Sequence, residues 1–450
     1  MDKMQRTLIT LHPEVPAEKP MRDILGICNT PRIRTKAILN FEKPYFDALH
    51  FRHIRYHDAP LENPGQQLID IHRIFPLFHL DENDPRNYFF AQTDDYLAVV
   101  ADSDAEIDFR LGETIDHSGN ARLSGGPEDI DKWARVCRNI IGHYKNGEMN
   151  GMHCNITRVT VWEEPDNPKL LSGTVEQYVE MFCTVYQLLK KDFPDLKVGG
   201  PTSMFRCNEF LEKFLSLCQE RGVTPDYVCG TFYPRSIEDL IEAIGEYREI
   251  MDRNGCAEVG YVLSEWHLGP YDWKNTASNR HGFCETISAA FTASTLIRLL
   301  DIDYIEAAYY YAWATGNWGV INPHKPEREL LPVYYGLLFF QKLATECAQR
   351  IPLTLRNEKV DQTVGDSEGV YALAGRTADG KIRLLISCYE VAHRTIVCQV
   401  PGATKGTLRK ISEVYRESEC LQGEPICAEN GAFEVKLEGC NGVFLLELDD

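Results

Sequence analysis

The sequence predicts an α/β fold: a (β/α)8 TIM barrel with an accessory antiparallel β-sandwich domain. Three observations carry this. From Met21 onward, short apolar β-rich runs alternate with amphipathic helical patterns. Two of the runs, VTVWEEPD (Val159–Asp166) and GYVLSEWH (Gly260–His267), lack polar alternation and end in a carboxylate beside a tryptophan. Such strands are buried on both faces, as in a parallel sheet. Beyond about Arg350 the helical patterns stop, and strands follow one another with turn signals between them.

Taken in order, Arg6–Leu11 reads as a lone strand followed by a Pro-rich link. Eight strands come next: Ile24–Cys28, Arg52–His57, Ile107–Leu111, Arg158–Trp162, Lys197–Gly200, Tyr227–Phe232, Gly260–Ser264 and Tyr304–Tyr310. Helices are expected over Ile130–Tyr144, after a Thr174–Gln177 capping box, and over Phe210–Leu217, Ile237–Met251, Ile287–Leu300 and Tyr334–Leu343. The segment Pro60–Asp94 is long and Pro-rich, the kind of loop that caps a barrel's catalytic face. An open doubly wound sheet is the alternative, but no GxGxxG follows an early strand. The C-terminal strands are expected at Tyr371–Thr377, Ile382–Tyr389, Arg394–Val400, Leu408–Tyr415, Phe433–Leu437 and Val443–Leu448. The expected division is an N-terminal strand joining the sandwich (1–20), the barrel (21–345) and the sandwich itself (346–450).

The formal net charge of −20 argues against nucleic acid or an anionic membrane surface as partner. The 15 cysteines form no CxxC pair and no zinc-finger spacing, and free thiols in this number favour a reducing compartment. With no stretch resembling a signal peptide or a membrane span, a cytoplasmic protein is expected.

Two carboxylates are the minimum for hydrolysing an acetal: one protonates the leaving oxygen, the other attacks or stabilises the oxocarbenium-like centre. Glu164 and Glu265 end strands four and seven, three βα units apart, at the end of a barrel where chemistry is done. The Glu164–Pro165 step should keep Glu164 out of the α region and end its strand. Trp162 and Trp266 offer flat apolar surface for packing or for the C–H face of a sugar.

VWEEPD resembles the VWNEPN stretch of clan A glycoside hydrolases, and LSEW resembles their strand-seven TEW. FRHIRYHD, LKVGGPTS and PDYVCGTFYP resemble the strand-two, strand-five and strand-six motifs of family 39, the β-xylosidase and α-L-iduronidase family. The resemblance runs from about Gly26 to Gln341. It implies a retaining exo-glycosidase acting on short oligosaccharides or glycosides, β-xylosidase-like, by double displacement. Glu164 would be the acid/base and Glu265 the nucleophile, with carboxyls about 5–5.5 Å apart. Arg55 would hold Glu265 ionised, Tyr233 would hydrogen-bond it, His57 would reach a sugar hydroxyl, and Trp313 would line the floor. The chemistry needs no cofactor. Family members often oligomerise through their β-domains, so the resemblance admits a homo-oligomer.

Three positions depart from the family pattern: Glu163 stands where Asn is usual, Thr231 where His is usual, and Glu113 where an apolar residue is usual. Glu163 and Glu113 are expected to shape an unusual substrate preference. Arabinosidase, β-glucosidase and β-galactosidase specificities stay open, as does a catalytically silent carbohydrate-binding barrel. His117, His267, His281 and Asp58 fall near the expected site loops, where lone polar residues are more often structural. His57, Asp58, Glu113 and His117 could together hold a divalent ion, but no HExxH or EF-hand spacing supports a metal, and none is expected. A Ser-His-Asp hydrolase lacks its GxSxG.

Overall fold

The computed structural model describes residues 5–57, 68–114, 125–270, 283–314, 319–322, 329–359, 362–364, 369–391 and 393–449. The chain divides into two compact units, one of residues 24–267 and 304–319, the other of residues 1–23, 268–303 and 320–450.

The first unit is a closed barrel of eight parallel strands in sequence order. They are β2 (Leu25–Cys28), β3 (His53–Tyr56), β4 (Glu106–Leu111), β5 (Ile156–Val161), β6 (Lys197–Met204), β7 (Tyr227–Phe232), β8 (Gly260–Trp266) and β9 (Ile305–Tyr310). Closure is made by β9 pairing with β2, Ala308 opposite Leu25 and Tyr310 opposite Ile27. All eight expected strands are present, with ends shifted by up to four residues. The largest shift is in β6, which runs on through PTSM.

The helices begin where local chemistry starts them. Asp129 accepts from Lys132 N to cap Ile130–Asn146, which ends at Gly147 with φ 71°. Thr174 and Gln177 make the expected capping box at the head of Val175–Asp192. Asn208–Glu220 follows without a side-chain cap, and Ser236 caps Ile237–Arg253. A further helix, Lys36–Ala48, starts at a Thr35 cap and contains Pro44. The Pro-rich segment includes the short helices Ile71–Ile74 and Ala91–Leu97.

The barrel interior is filled, not open. Tyr227, Cys229, Val262, Ala307 and Tyr309 pack in one cluster near its middle. Beside them Asp108, fully buried, accepts from Thr160 Oγ1 at 2.9 Å through both oxygens. Burial raises its carboxyl above the usual range, although Arg55 and Thr160 pull it back.

The second unit holds β1 (Gln5–Leu11) and the C-terminal strands. These are β10 (Ile321–Asn322), β11 (Glu329–Leu330), β12 (Cys347–Ile351), β13 (Leu353–Lys359), β14 (Gln362–Val364), β15 (Val370–Thr377), β16 (Ile382–Cys388), β17 (Arg394–Gln399), β18 (Lys405–Ser412), β19 (Glu424–Cys427), β20 (Ala432–Leu437) and β21 (Gly442–Asp449). One sheet runs β14-β13-β1-β17-β20 and the other β12-β15-β16-β21-β18-β19. Ile9, Ile396 and Phe433 of the first and Leu384, Ile386 and Leu446 of the second share one apolar core, as two sheets of a sandwich do. β1 lies antiparallel to β13 and parallel to β17. The helices Thr286–Leu299 and Pro332–Glu346, which follow β8 and β9 in the chain, group with these sheets.

Candidate active site

The site is built at the C-terminal ends of the barrel strands, where parallel strands leave side chains and loops free of the ladder. Arg55, in β3, is fully buried and its guanidinium spans two carboxylates. Nη1 donates to Glu265 Oε1 at 3.2 Å, and Nη2 donates to Glu163 Oε2. Burial alone would weaken the guanidinium's charge, but Glu163 and Glu265 outweigh it and hold its pKa well above the ordinary value. His57, one residue past β3, stands between the same two carboxylates. Its Nδ1 lies 3.0 Å from Glu163 Oε2 and its Nε2 lies 2.8 Å from Glu265 Oε1. Arg110 of β4 fixes this residue from behind, donating from Nε to the His57 carbonyl at 2.8 Å and from Nη2 to Asp70 at 2.6 Å.

Glu163 and Glu164 follow β5 on a tight turn. Trp162 has φ 67° and Glu164 has φ 36°, left-handed conformations that cost roughly 1–3 kcal/mol each for residues with a Cβ. Glu164 thus lies outside the right-handed α region, and β5 ends before it at Val161. The turn sends two adjacent carboxylates to different partners. Gly112, with φ 125°, lets the β4 loop pass against this turn, since a Cβ there would lie 3.0 Å from the Trp162 ring.

Glu164 accepts from Thr231 Oγ1 at 3.0 Å and from Asn167 Nδ2 at 2.8 Å, and its backbone N–H donates to Thr202 Oγ1 at 2.9 Å. Burial, then the charge of Glu265, push its carboxyl up to about 7, against the pull of Asn167 and Thr231. Glu163 behaves oppositely. Burial would raise it, but the charges of Arg55 and His57 hold it well below the usual carboxylate range. Glu265 Oε2 accepts from the Tyr233 hydroxyl. Burial, and then Glu265's charge, raise that phenol well above its ordinary pKa. Around these groups stand the rings of Tyr311, 5.7 Å from His57, and of His267, 4.4 Å from Tyr233.

The structure thus brings together Arg55, His57, Glu163, Glu164, Tyr233 and Glu265. The three tryptophans are placed differently from expectation. Trp162, Trp266 and Trp313 are at most 1% exposed, so none presents a face to solvent. Trp162 donates its indole N–H to Leu170 O, Trp266 meets Tyr310 edge-on, and Trp313 donates to Glu42, itself paired with Arg32. For Trp162 and Trp266, whose flat area suited packing or a sugar, the structure shows packing, and Trp313, expected from the resemblance to line the floor, is buried as well. His57, expected at a sugar hydroxyl, has both ring nitrogens facing carboxylates. Glu113 lies beyond β4 with His72 Nδ1 at 3.3 Å. Asp58, His117 and His281 lie outside the described residues.

Thr231, Asn167, Thr202 and Tyr311 join the site without having been expected in a role. Asn167 had a local signal, since it sits three residues beyond Glu164 in a turn. The others are adjacent only through the barrel. Among the described residues, the one histidine–acid set compact enough to share a cation is His57, Glu163 and Glu265, with ligand atoms within 4.8 Å of one another. Arg55 already sets a positive charge against both of those carboxylates.

Fold and site together define a (β/α)8 barrel with two carboxylates at the ends of its fourth and seventh strands and a third beside them. The chain resembles glycosyl hydrolase family 39, and the model described as Glycosyl hydrolases family 39 matches residues 115–312. A β-xylosidase from Caldicellulosiruptor saccharolyticus is 23% identical over 190 residues, 39% of this chain and 37% of that protein. A β-xylosidase from Geobacillus stearothermophilus is 21% identical over 259 residues, 50% of this chain and 48% of that one. The matched region is thus less than half the length of either curated relative. Among solved structures, a glucosidase from Croceicoccus marinus superposes with TM-score 0.75 and 21% identity over all of both chains. A monomeric β-xylosidase from Caulobacter crescentus superposes with TM-score 0.66 and 15% identity over 98% of this chain and 99% of that one. These two likenesses establish the fold.

Proposed function

We propose that the protein is a retaining exo-glycosidase acting on short oligosaccharides or glycosides, β-xylosides first. The observation that carries this reading is the different setting of two carboxylates at one barrel end. Burial and the charge of Glu265 keep Glu164 protonated up to about pH 7, against the pull of the donors on its two oxygens. Glu265 accepts from Arg55 through one oxygen and from Tyr233 through the other.

In the first step a Glu265 oxygen attacks the anomeric carbon. The glycosidic C–O bond breaks, and the leaving oxygen keeps the electron pair and takes the proton of Glu164. In the second step the Glu164 carboxylate takes a proton from water, and that water displaces Glu265 from the anomeric carbon. Arg55 and Tyr233 orient the nucleophile, while Thr231 and Asn167 hold the acid. Glu163 and Glu113 would set the substrate preference. No helix among the described residues is long and apolar enough to cross a membrane. With the free cysteines, that is consistent with a cytoplasmic enzyme working on imported substrates.

The test is a panel of nitrophenyl glycosides, including β-xylosides, β-glucosides, β-galactosides and α-L-arabinofuranosides, with proton NMR of the first-formed product. Turnover with retained configuration, lost in Glu265→Ala, is the expected result. The β-glucoside arm matters because a structure of the same fold is described as a glucosidase. Absence of turnover across the panel would favour a carbohydrate-binding barrel.

A further inference from the structure

Two features of this cluster go beyond a nucleophile and an acid. The first is a closed loop of contacts, Arg55 to Glu163, Glu163 to His57, His57 to Glu265 and Glu265 back to Arg55. The second is that the same two oxygens, Glu163 Oε2 and Glu265 Oε1, serve both cationic side chains. Each already accepts from Arg55, so a proton on either would compete with a guanidinium N–H for the space. The proton between carboxylate and ring therefore belongs on the imidazole. With two carboxylates and one guanidinium in the cluster, a charged imidazole balances the second negative charge, at 3.0 Å from Glu163 and 2.8 Å from Glu265.

We propose that Glu163 is a positioning residue: it completes a ring of alternating charge, Arg55–Glu163–His57–Glu265, that keeps His57 an imidazolium between the two carboxylates. Among the described residues, the charged groups of this cluster come from several strands, with Glu164 beyond Glu163 and Asp108 below Arg55. Glu163 comes from the turn after β5, Glu265 from β8 and Arg55 from β3 itself. Arg110 of β4 reaches the His57 carbonyl and is paired with Asp70. Tyr233, on the other oxygen of Glu265, and Tyr311 carry phenols.

The ring also has a consequence for the reaction, which rests on the glycosidase reading. When Glu265 becomes an ester it loses its charge, while Glu164 gains one on giving up its proton. Arg55 and His57 would then be two buried cations, with Glu163 as their remaining direct counter-ion. An amide at this position could accept from one of them but could not neutralise either.

The direct test is nitrogen-15 NMR of histidine-labelled resting protein, with His57→Gln assigning the signal among the 13 histidines. At about pH 8, where an ordinary imidazole of pKa about 6.5 is neutral, His57 should carry a proton on both nitrogens. In Glu163→Gln it should be neutral at the same pH. A neutral His57 in the unsubstituted protein overturns the proposal, and so does a cationic one in Glu163→Gln. Should that variant fail to fold, the unsubstituted protein decides alone. With an active glycoside in hand, Glu163→Gln should lower kcat/KM by about tenfold, the equivalent of one hydrogen bond to a charged group. Glu163→Asp should recover part of it, and an unchanged rate in Glu163→Gln would overturn the counter-ion role. The NMR result needs no turnover, so a protein silent on every glycoside would sink the glycosidase reading while leaving the protonation of His57 decided.

Discussion

The two ends of the barrel use the same side-chain types to opposite ends. At the N-terminal end, Arg158 of β5 bridges Glu106 of β4 and Glu306 of β9, each at 3.0 Å. Lys197 of β6 adds a second cation to Glu306 at 2.7 Å, and Arg52 adds one to Glu106 at 3.0 Å. Burial would raise both carboxyls, but the cations around them outweigh it and both are lowered. At the C-terminal end the acids outnumber their cations. Glu163 and Glu265 face Arg55 and His57, whereas Glu164 accepts from the neutral Thr231 and Asn167 and is pushed up to about 7. An end whose charges are saturated adds stability and holds the strands in register. An end with one carboxylate left short of a counter-ion holds a transferable proton near neutral pH.

Substitutions should separate the two ends. The largest effect is expected from Glu265→Ala, a loss of turnover on the order of 10⁴-fold or more, read by aryl-glycoside kinetics.

Next comes Glu164→Gln, which should slow glycosides with poor leaving groups by about 10²–10⁴-fold and abolish the fall in rate as pH rises through about 7. The same substitution should stabilise the fold. A carboxyl whose folded pKa lies above its unfolded value loses stability as pH rises between the two, here from about 4.5 to about 7. Above that window the Gln variant should therefore gain roughly 1–3 kcal/mol in denaturant titrations, and below it almost nothing.

Arg158→Ala, at the other end, should reverse the pattern. It should cost about 1.5–3 kcal/mol of stability with kcat nearly unchanged. If it cost activity and not stability, the contrast between the ends would fail.

The smallest effect is expected for Thr231→Val. The Thr231 hydroxyl lowers the Glu164 pKa by donating to it, so the alkaline limb of kcat/KM should move up in pH. The accompanying change is about 0.5–1.5 kcal/mol.

The barrel strands were readable in the sequence because burial on both faces leaves unbroken apolar runs such as Tyr227–Phe232, and because the capping box at Thr174 is a local signal. The helix Lys36–Ala48 was missed because Pro44 reads as a breaker, yet it lies inside the helix. β14 was missed because NEKVDQTV carries no apolar alternation, and in β13 the alternation stops after LTL. In the site, the carboxylates and Arg55 were legible from motifs. The ring through His57 was not, because it joins β3, the turn after β5 and β8, which are far apart in the chain. The burial of Trp162, Trp266 and Trp313 was equally hidden, since a tryptophan at a strand end suits packing as well as a sugar.

The pairing of Glu164 with Glu265 is tested most directly by trapping. A 2-deoxy-2-fluoro glycoside of the preferred sugar, with an activated leaving group, should inactivate the enzyme. Peptide mass spectrometry should then place one glycosyl unit on Glu265. A label on any other residue, or hydrolysis with inverted configuration and no covalent species, would contradict the assignment.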